Sequence, residues 1–490
     1  MQRKQLTLVI VSLLVVVLSV SLAYFTAQII GKGKTVDVSS ANLQIVFTDS
    51  DGALTETDIE PGWSATKTFT IKNDTKTEYK YNIVIKDLLN TFVTNGYLQY
   101  KITSTNDGYN MTEFKDIPKS SVATDTILAY SVSIPVGVTQ SYTIEFKYAN
   151  DENIDQSDDM GKQLSGTLFI TEGTELTFLT QLLADKSTRL TRTDFSKVLT
   201  DNNANTLYTS TEDSKTVYYF AGNATDNWVK FGKNASNQDL YWRIIRTNSD
   251  GSVRLLYHGT STTATDAYIG TSAFNSSFNN IAYVSYMYGN LGSVANAREN
   301  TTDSTIKTII DKWYKDNLNT NYGKYLSTTA VYCNDRSTSD NTYFGAHTRL
   351  ITNKTPSYDC TVTEDKFTVD SSTGNGKLTY PIALMTADEV SFAGGLWATN
   401  ASTWYYYNSA KGSSTGSTWW WLLSPNYWGG GSALVFNVYG SSLPGYLYSD
   451  GVYRAGGVRP SVSLKSCVKT SGGDGSASDP YTIKETTSGC

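Results

Sequence analysis

Charge is in short supply in this sequence. Asp, Glu, Lys and Arg make up 18% of 490 residues and the net charge is -6, so no basic field exists to draw in nucleic acid or anionic lipid. Nucleic acid is therefore not expected among the partners. Histidine is scarcer still. His258 ends an apolar strand and His347 sits in a polar loop, and neither lies in a nucleophile-elbow context such as G-x-S-x-G, which argues against a Ser-His-Asp hydrolase. The 46 acidic residues offer too many carboxylate pairs for spacing to mark a glycosidase centre. No catalytic residue, metal site or cofactor is expected.

One stretch lacks charge altogether. Residues 6–30 follow Arg3 and Lys4 and carry none; as a helix they would extend about 37 Å, enough to cross a bilayer. Residues 1–35 are therefore expected to export the chain, either as an uncleaved membrane anchor or as a signal peptide cut beside Ser21-Leu22-Ala23. Cysteine is limited to Cys333, Cys360, Cys467 and Cys490. An even number on an exported chain points to disulfides. Proximity pairs Cys333 with Cys360 and Cys467 with Cys490, one of three connectivities. A zinc site helped by His347 is the rival, but no close C-x-x-C pair exists.

What the sequence has in abundance is aromatic and small polar: 34 Tyr and 10 Trp beside many Ser, Thr, Asn and Gly, a mixture suited to strands and recognition surfaces. Residues 36–172 alternate with period two, as in Tyr79, Tyr81, Ile83, Ile85 and in Tyr142, Ile144, Phe146, Tyr148. Turn residues separate these runs, so an antiparallel β-sandwich is expected. The acidic stretch 151–159 reads as a solvated loop. Residues 173–215 read as a connector with helical pieces, since Leu176, Leu179, Leu182 and Leu183 recur at helical spacing.

Residues 216–466 form a second expected domain. Short aromatic strands such as Leu240-Tyr241-Trp242-Arg243-Ile244-Ile245-Arg246 are followed by an amphipathic helix over 305–318, with Ile306, Ile309, Ile310 and Trp313 inward and Lys307, Asp311, Lys312 and Lys315 outward. The fold class is α+β overall. Residues 467–490 are read as a tail closed by a disulfide.

An apolar leader ending near Ala23-Tyr24-Phe25-Thr26-Ala27 and followed at once by a sandwich resembles, in layout, the TasA and camelysin group of exported Gram-positive proteins. That resemblance implies a surface or matrix-fibre component, or a spacer. Four later stretches carry a second resemblance: Trp242-Arg243-Ile244-Ile245-Arg246 with Asp250-Gly251-Ser252-Val253-Arg254-Leu255; Pro381 to Val390 with Ala393-Gly394-Gly395; Trp419-Trp420-Trp421-Leu422-Leu423-Ser424-Pro425; and Gly456-Gly457-Val458-Arg459-Pro460-Ser461-Val462-Ser463-Leu464. In that order and spacing they resemble an exported domain family of Firmicutes and their phages. The family looks like the C-type-lectin, or formylglycine-generating-enzyme, fold, and some members are similar to target proteins of diversity-generating retroelements.

In such targets the variable stretch lies between a tryptophan-rich strand and a closing Gly-Val-Arg-Pro, which here is 426–456. Its candidate ligand contacts are Asn426, Tyr427, Trp428, Ser432, Asn437, Tyr439, Ser441, Ser442, Tyr446, Tyr448, Asp450, Tyr453 and Arg454. Tyr gives broad contact with few rotors, and Ser and Asn give adaptable hydrogen bonds. Ala433, Val435, Phe436, Val438, Leu443 and Val452 are interleaved with them as anchors. The alternative is that Tyr and Ser merely fill exposed strands.

Trp419, Trp420 and Trp421 are read as core, while Trp404, Tyr405, Tyr406, Tyr407 and Trp428 are candidates for a stacking shelf. Arg459 is expected to close the fold through a buried ion pair with Asp388 or Glu389. A formylglycine-generating oxidoreductase needs a reactive cysteine pair near the variable face, and no Cys lies between Cys360 and Cys467. The Glu-Pro-Asn type of calcium-dependent sugar motif is missing. The expectation is a cell-surface receptor or adhesin, anchored or secreted, for a protein or glycan ligand, with a structural surface or matrix-fibre subunit as one alternative and a formylglycine-generating-type oxidoreductase as the other.

Overall fold

The computed structural model describes residues 26–27, 35–40, 43–49, 54–55, 60–106, 108–173, 176–186, 188–201, 203–264, 267–401, 419–439, 443 and 445–490, those before residue 60 by their backbone alone. Of the apolar run 6–30, only Thr26–Ala27 lies among them. Among the described residues no helix is long and apolar enough to cross a membrane. The chain divides into two compact units, Met1–Leu176 and Thr177–Cys490.

Among its described residues the first unit has eleven strands. They are β1 (Thr26–Ala27), β2 (Thr35–Ser40), β3 (Leu43–Asp49), β4 (Leu54–Thr55), β5 (Ser64–Asn73) and β6 (Tyr79–Asn90), then β7 (Leu98–Ser104), β8 (Lys115–Asp116), β9 (Ser120–Ile134), β10 (Thr139–Tyr148) and β11 (Leu164–Glu172). One sheet runs β1-β11-β6-β9 with β4 also on β11, and the other runs β2-β3-β5-β10-β7-β8. Period-two alternation explains the layering: Tyr142, Ile144, Phe146 and Tyr148 of β10 face inward, meeting Ile83 and Ile85 of β6 and Leu168 and Ile170 of β11 in one core. Each such apolar side chain contributes about 1.5–3 kcal/mol on full burial. Most polar interior groups are neutral, as where the Tyr81 hydroxyl donates to Gln140 and meets the Tyr142 hydroxyl.

The acidic loop departs from expectation at one residue. Asp159 is buried, accepting from the Val93 and Thr94 amides at 2.5 and 3.1 Å and from the Tyr148 hydroxyl at 2.8 Å. Three donors replace the water a solvated carboxylate would keep.

In the second unit come α1 (Phe178–Asp185), β12 (Thr188–Thr191), β13 (Thr206–Glu212), β14 (Lys215–Tyr219), β15 (Trp228–Lys233), β16 (Asp239–Thr247) and β17 (Val253–Tyr257). There follow β18 (Thr271–Ser272), β19 (Met287–Tyr288), β20 (Thr302–Asp303), α2 (Thr305–Asn317), β21 (Tyr332–Cys333), β22 (Lys366–Phe367), β23 (Ile382–Leu384), α3 (Ala387–Phe392) and β24 (Leu396–Trp397). The last strands are β25 (Trp419–Gly429), β26 (Ser432–Tyr439), β27 (Tyr446–Gly451), β28 (Gly456–Gly457), β29 (Pro460–Leu464), β30 (Thr470–Gly472) and β31 (Tyr481–Ile483). A ten-stranded sheet runs β12-β13-β14-β16-β15-β31-β30 and branches through β17 and β29 to β23, while a six-stranded sheet runs β18-β28-β25-β26-β27-β24.

Strands with short helices make the whole a mixed α+β fold. The stretch read as a connector is built into the second unit: Phe178 and Leu182 of α1 enter its core and β12 pairs with β13. The stretch read as a tail does the same, since β31 pairs in parallel with β15. The disulfides are Cys333–Cys360 and Cys467–Cys490.

The scattered motif stretches converge. Strand β29 lies between β17 and β23, and the α3 carboxylate of Glu389 meets Arg246 at 2.8 Å and Arg254 at 2.7 Å. Thr386 and Glu389 form the capping box of α3. Arg246 also pairs with Glu212 at 2.8 Å, and Arg349 bridges Asp335 at 2.6 Å and Asp388 at 2.9 Å. The small cavity these groups line has about 20 Å³, room for roughly one water, so the network ties the fold together rather than enclosing a ligand.

Two expectations are corrected here. Asp388 and Glu389 serve other arginines, and Arg459 instead donates to the Tyr257 carbonyl at 3.2 Å and lies 4.8 Å from the Trp420 ring centre. Lys307 of α2 is fully buried, not outward, because Asp303 and Asp311, one turn to either side, meet its ammonium at 3.2 and 2.6 Å.

Candidate functional site

The six-stranded sheet carries most of the expected contact residues, and its register decides which of them share a face. Trp419 is opposite Tyr439, Trp421 opposite Asn437, Asn437 opposite Tyr448 and Val435 opposite Asp450. Cross-strand partners lie on the same side and alternate along each strand. Tyr439, Tyr446, Tyr448 and Asp450 thus gather on one face of the β26–β27 hairpin. Phe436, Val438 and Leu447 occupy the other, fully buried. Trp419, Trp420 and Trp421 are all buried, as expected of core residues.

The rings on that face pack on one another. Trp397 of the edge strand β24 stacks on Tyr448 with centroids 5.1 Å apart and planes 21° apart. Tyr439, Tyr446 and Tyr448 stand 5.8 to 6.1 Å from one another. Asp450 organises the polar part: it accepts from Asn437 Nδ2 at 3.1 Å and from the Tyr439 hydroxyl at 3.3 Å, and meets Arg454 Nε at 3.4 Å. Burial, and then the Asp450 carboxylate, push the Tyr439 phenol above its ordinary range. The Arg454 guanidinium is pushed up by its hydrogen bond with Tyr453 and then by Asp450.

The cluster continues past the hairpin. Tyr453 packs against Phe278, centroids 4.7 Å apart, and Gly451 leaves room for its ring, since a Cβ there would come within 2.7 Å of it. At the β25–β26 turn, Gly430 and Gly431 take φ of +59° and +77°, the left-handed conformations of a tight hairpin.

Next to the far end of β25 the loop carrying Tyr343 adds another aromatic group. Trp428 donates to the Thr342 carbonyl at 2.7 Å and Phe344 to the Asn426 carbonyl at 3.1 Å. This seats Tyr343 4.2 Å from the His347 ring and 5.1 Å from Tyr427. His347 Nδ1 lies 2.6 Å from Asn426 Oδ1, and Asn426 Nδ2 donates to Ser449 Oγ at 2.5 Å. Because an amide oxygen only accepts, Nδ1 carries the hydrogen.

The expected contacts thus divide. Tyr439, Tyr446, Tyr448, Asp450, Tyr453 and Arg454 form a continuous group. Tyr427, Trp428 and Ser432 are half-buried around the β25–β26 hairpin. Asn426 and Asn437 are buried and act as supports, bonding to His347, Ser449 and Asp450 rather than facing out. An amide has the same composition signal in either role, and only burial separates them. Ser441 and Ser442, with Trp404, Tyr405, Tyr406 and Tyr407, lie outside the described residues.

Sequence reasoning missed Trp397, Phe278, Tyr343 and His347, which reach the site from separate loops without any periodic pattern. Exposure would have found two of them, Phe278 and Tyr343. Among the described residues of the second unit, six large apolar side chains are exposed, and Phe278 (42%), Tyr343 (43%), Tyr448 (39%) and Tyr453 (48%) border this sheet. Phe278, Tyr448 and Tyr453 belong to the tyrosine group, while Tyr343 packs on Tyr427, which is opposite Leu434 and so on the Phe436 side. Among the described residues no group of three or more His, Cys, Asp or Glu is placed to hold a metal ion. The chain matches no protein-family model and no curated protein.

Proposed function

We propose that this chain is a cell-surface ligand-binding protein, receptor- or adhesin-like, whose contact surface is the tyrosine face of the β26–β27 hairpin with Trp397 and Phe278 at its margins. The observation that carries this reading is the packing of Tyr439, Tyr446, Tyr448 and Trp397 on one face of the hairpin, with Tyr448 39% exposed, while Phe436, Val438 and Leu447 on the other face are fully buried. Rings that pack on one another lose little freedom when a partner covers them. The two disulfides fit an oxidising, extracellular setting. In this reading residues 6–30 anchor or export the chain, the sandwich lifts the head, and the second unit is a C-type-lectin-like scaffold with 426–456 as its variable segment. The ligand is a protein or a glycan.

Replacing Tyr439, Tyr446, Tyr448 and Tyr453 by Ser is expected to abolish capture of extracellular proteins or arrayed glycans by the displayed chain, with native near-ultraviolet circular dichroism retained. Unchanged capture sinks the assignment. Diversification of the segment is a separate matter, tested by looking for an adenine-rich near-copy of codons 420–460 beside a reverse-transcriptase gene.

A further inference from the structure

The ring cluster also has a chemistry that needs no ligand. A phenol gives up an electron most readily when a neighbouring base takes its proton as the electron leaves. Asp450 is such a base for Tyr439, 3.3 Å from its hydroxyl and held by Asn437 and Arg454 at 3.1 and 3.4 Å. The radical so formed has partners at hand: Tyr446 and Tyr448 lie 6.1 and 6.0 Å away, ring centre to ring centre. Tyr448 is already stacked face to face on Trp397. Tyr446, by contrast, opens β27 directly across from Tyr439 at the end of β26, one position beyond the Val438–Leu447 pair.

We propose that Tyr439 is a site of one-electron oxidation and that it couples to Tyr446, joining β26 to β27 by a dityrosine bond, with hydrogen peroxide as oxidant and a haem peroxidase as catalyst. Each phenol loses one electron and one proton, the Tyr439 proton passing first to Asp450. The two radicals form a carbon–carbon bond between the ring positions ortho to their oxygens. The hydrogens on those carbons then move to the oxygens, restoring both phenols. The two electrons and two protons reduce one peroxide to two waters.

The test treats the full chain with hydrogen peroxide and a peroxidase, reads dityrosine fluorescence, and maps the linked peptides by mass. A link between Tyr439 and Tyr446, lighter than the two peptides by two hydrogens and present in the monomer band, is expected. Tyr439→Phe, which keeps the ring packing, should remove that link, and Asp450→Asn should slow its formation by at least about tenfold, within what a positioned base contributes. Circular dichroism of both variants guards against loss of the fold, and Tyr446→Phe serves as the second variant if Asp450→Asn fails to fold. A link confined to other tyrosines or to dimers, or an unchanged rate in folded Asp450→Asn, overturns the proposal.

Discussion

The two units handle buried polarity in opposite ways. In the first, interior polar groups are mostly neutral and close at hand in space: Tyr81, Gln140 and Tyr142 satisfy one another, and Asp159 is held by backbone amides and a tyrosine. In the second, guanidinium groups of Arg246, Arg254 and Arg349 are buried or half-buried against carboxylates from distant segments, and two disulfides supplement them. Long alternating strands give the sandwich its core directly. The second unit includes several two-residue ladders and long loops, so charged ties between distant segments fix an arrangement that strand pairing leaves loose.

The comparison breaks most sharply at Glu389. Glu389→Gln strands part of two buried guanidiniums and should cost the second unit about 3–5 kcal/mol, read from tryptophan fluorescence in a denaturant titration; only Trp63 lies in the first unit. A shift in the first unit's transition instead would refute the division. Its counterpart is Ile144→Ala, which opens a cavity in the sandwich and should cost about 2–5 kcal/mol, seen as loss of the first unit's step in far-ultraviolet circular dichroism. Replacing Cys333 and Cys360 together by Ala should cost about 2–4 kcal/mol in the second unit alone, and a calorimetric scan with and without reductant checks this.

Acid sharpens the same contrast. Burial raises the Glu389 carboxyl, but the Arg254 and Arg246 charges outweigh it and hold it below its ordinary value. A depressed folded value means its contribution is present above the unfolded value, about 4.3, and is lost as pH falls through the lower folded one. The second unit's midpoint should therefore drop below about pH 4 in wild type and drop less steeply in Glu389→Gln. Asp159, also held below its ordinary value, gives the first unit a smaller slope. The smallest stability effect is expected at Tyr453→Ser, within about 0.5 kcal/mol, and its thermal midpoint should stay put while capture weakens.

The sandwich strands were legible because alternation is a local property: a run such as Tyr142, Ile144, Phe146, Tyr148 states which residues face inward without reference to the rest of the chain. The partner of a buried charge is not local. Arg246 and Glu389 are 143 residues apart, and nothing near either position says that they meet, so Arg459 was assigned a carboxylate that serves other arginines. Lys307 was read outward because lysine usually is; the carboxylates a turn away made burial tolerable.

At the site, composition marked the tyrosines of 426–456, and the register of β25, β26 and β27 decided what that composition does. Sequence by itself marked the alternating strands of the first unit and the ring-rich segment, because these depend on neighbouring residues, and it left the four cysteines with three connectivities. Tertiary structure alone decided that Asn426 and Asn437 support rather than contact, that Trp397 and Phe278 join the tyrosine group, and which arginines Glu389 and Asp388 hold. The physical reason is that exposure and ion pairing are set by whichever distant strand or loop arrives alongside, and chain order does not record that arrival.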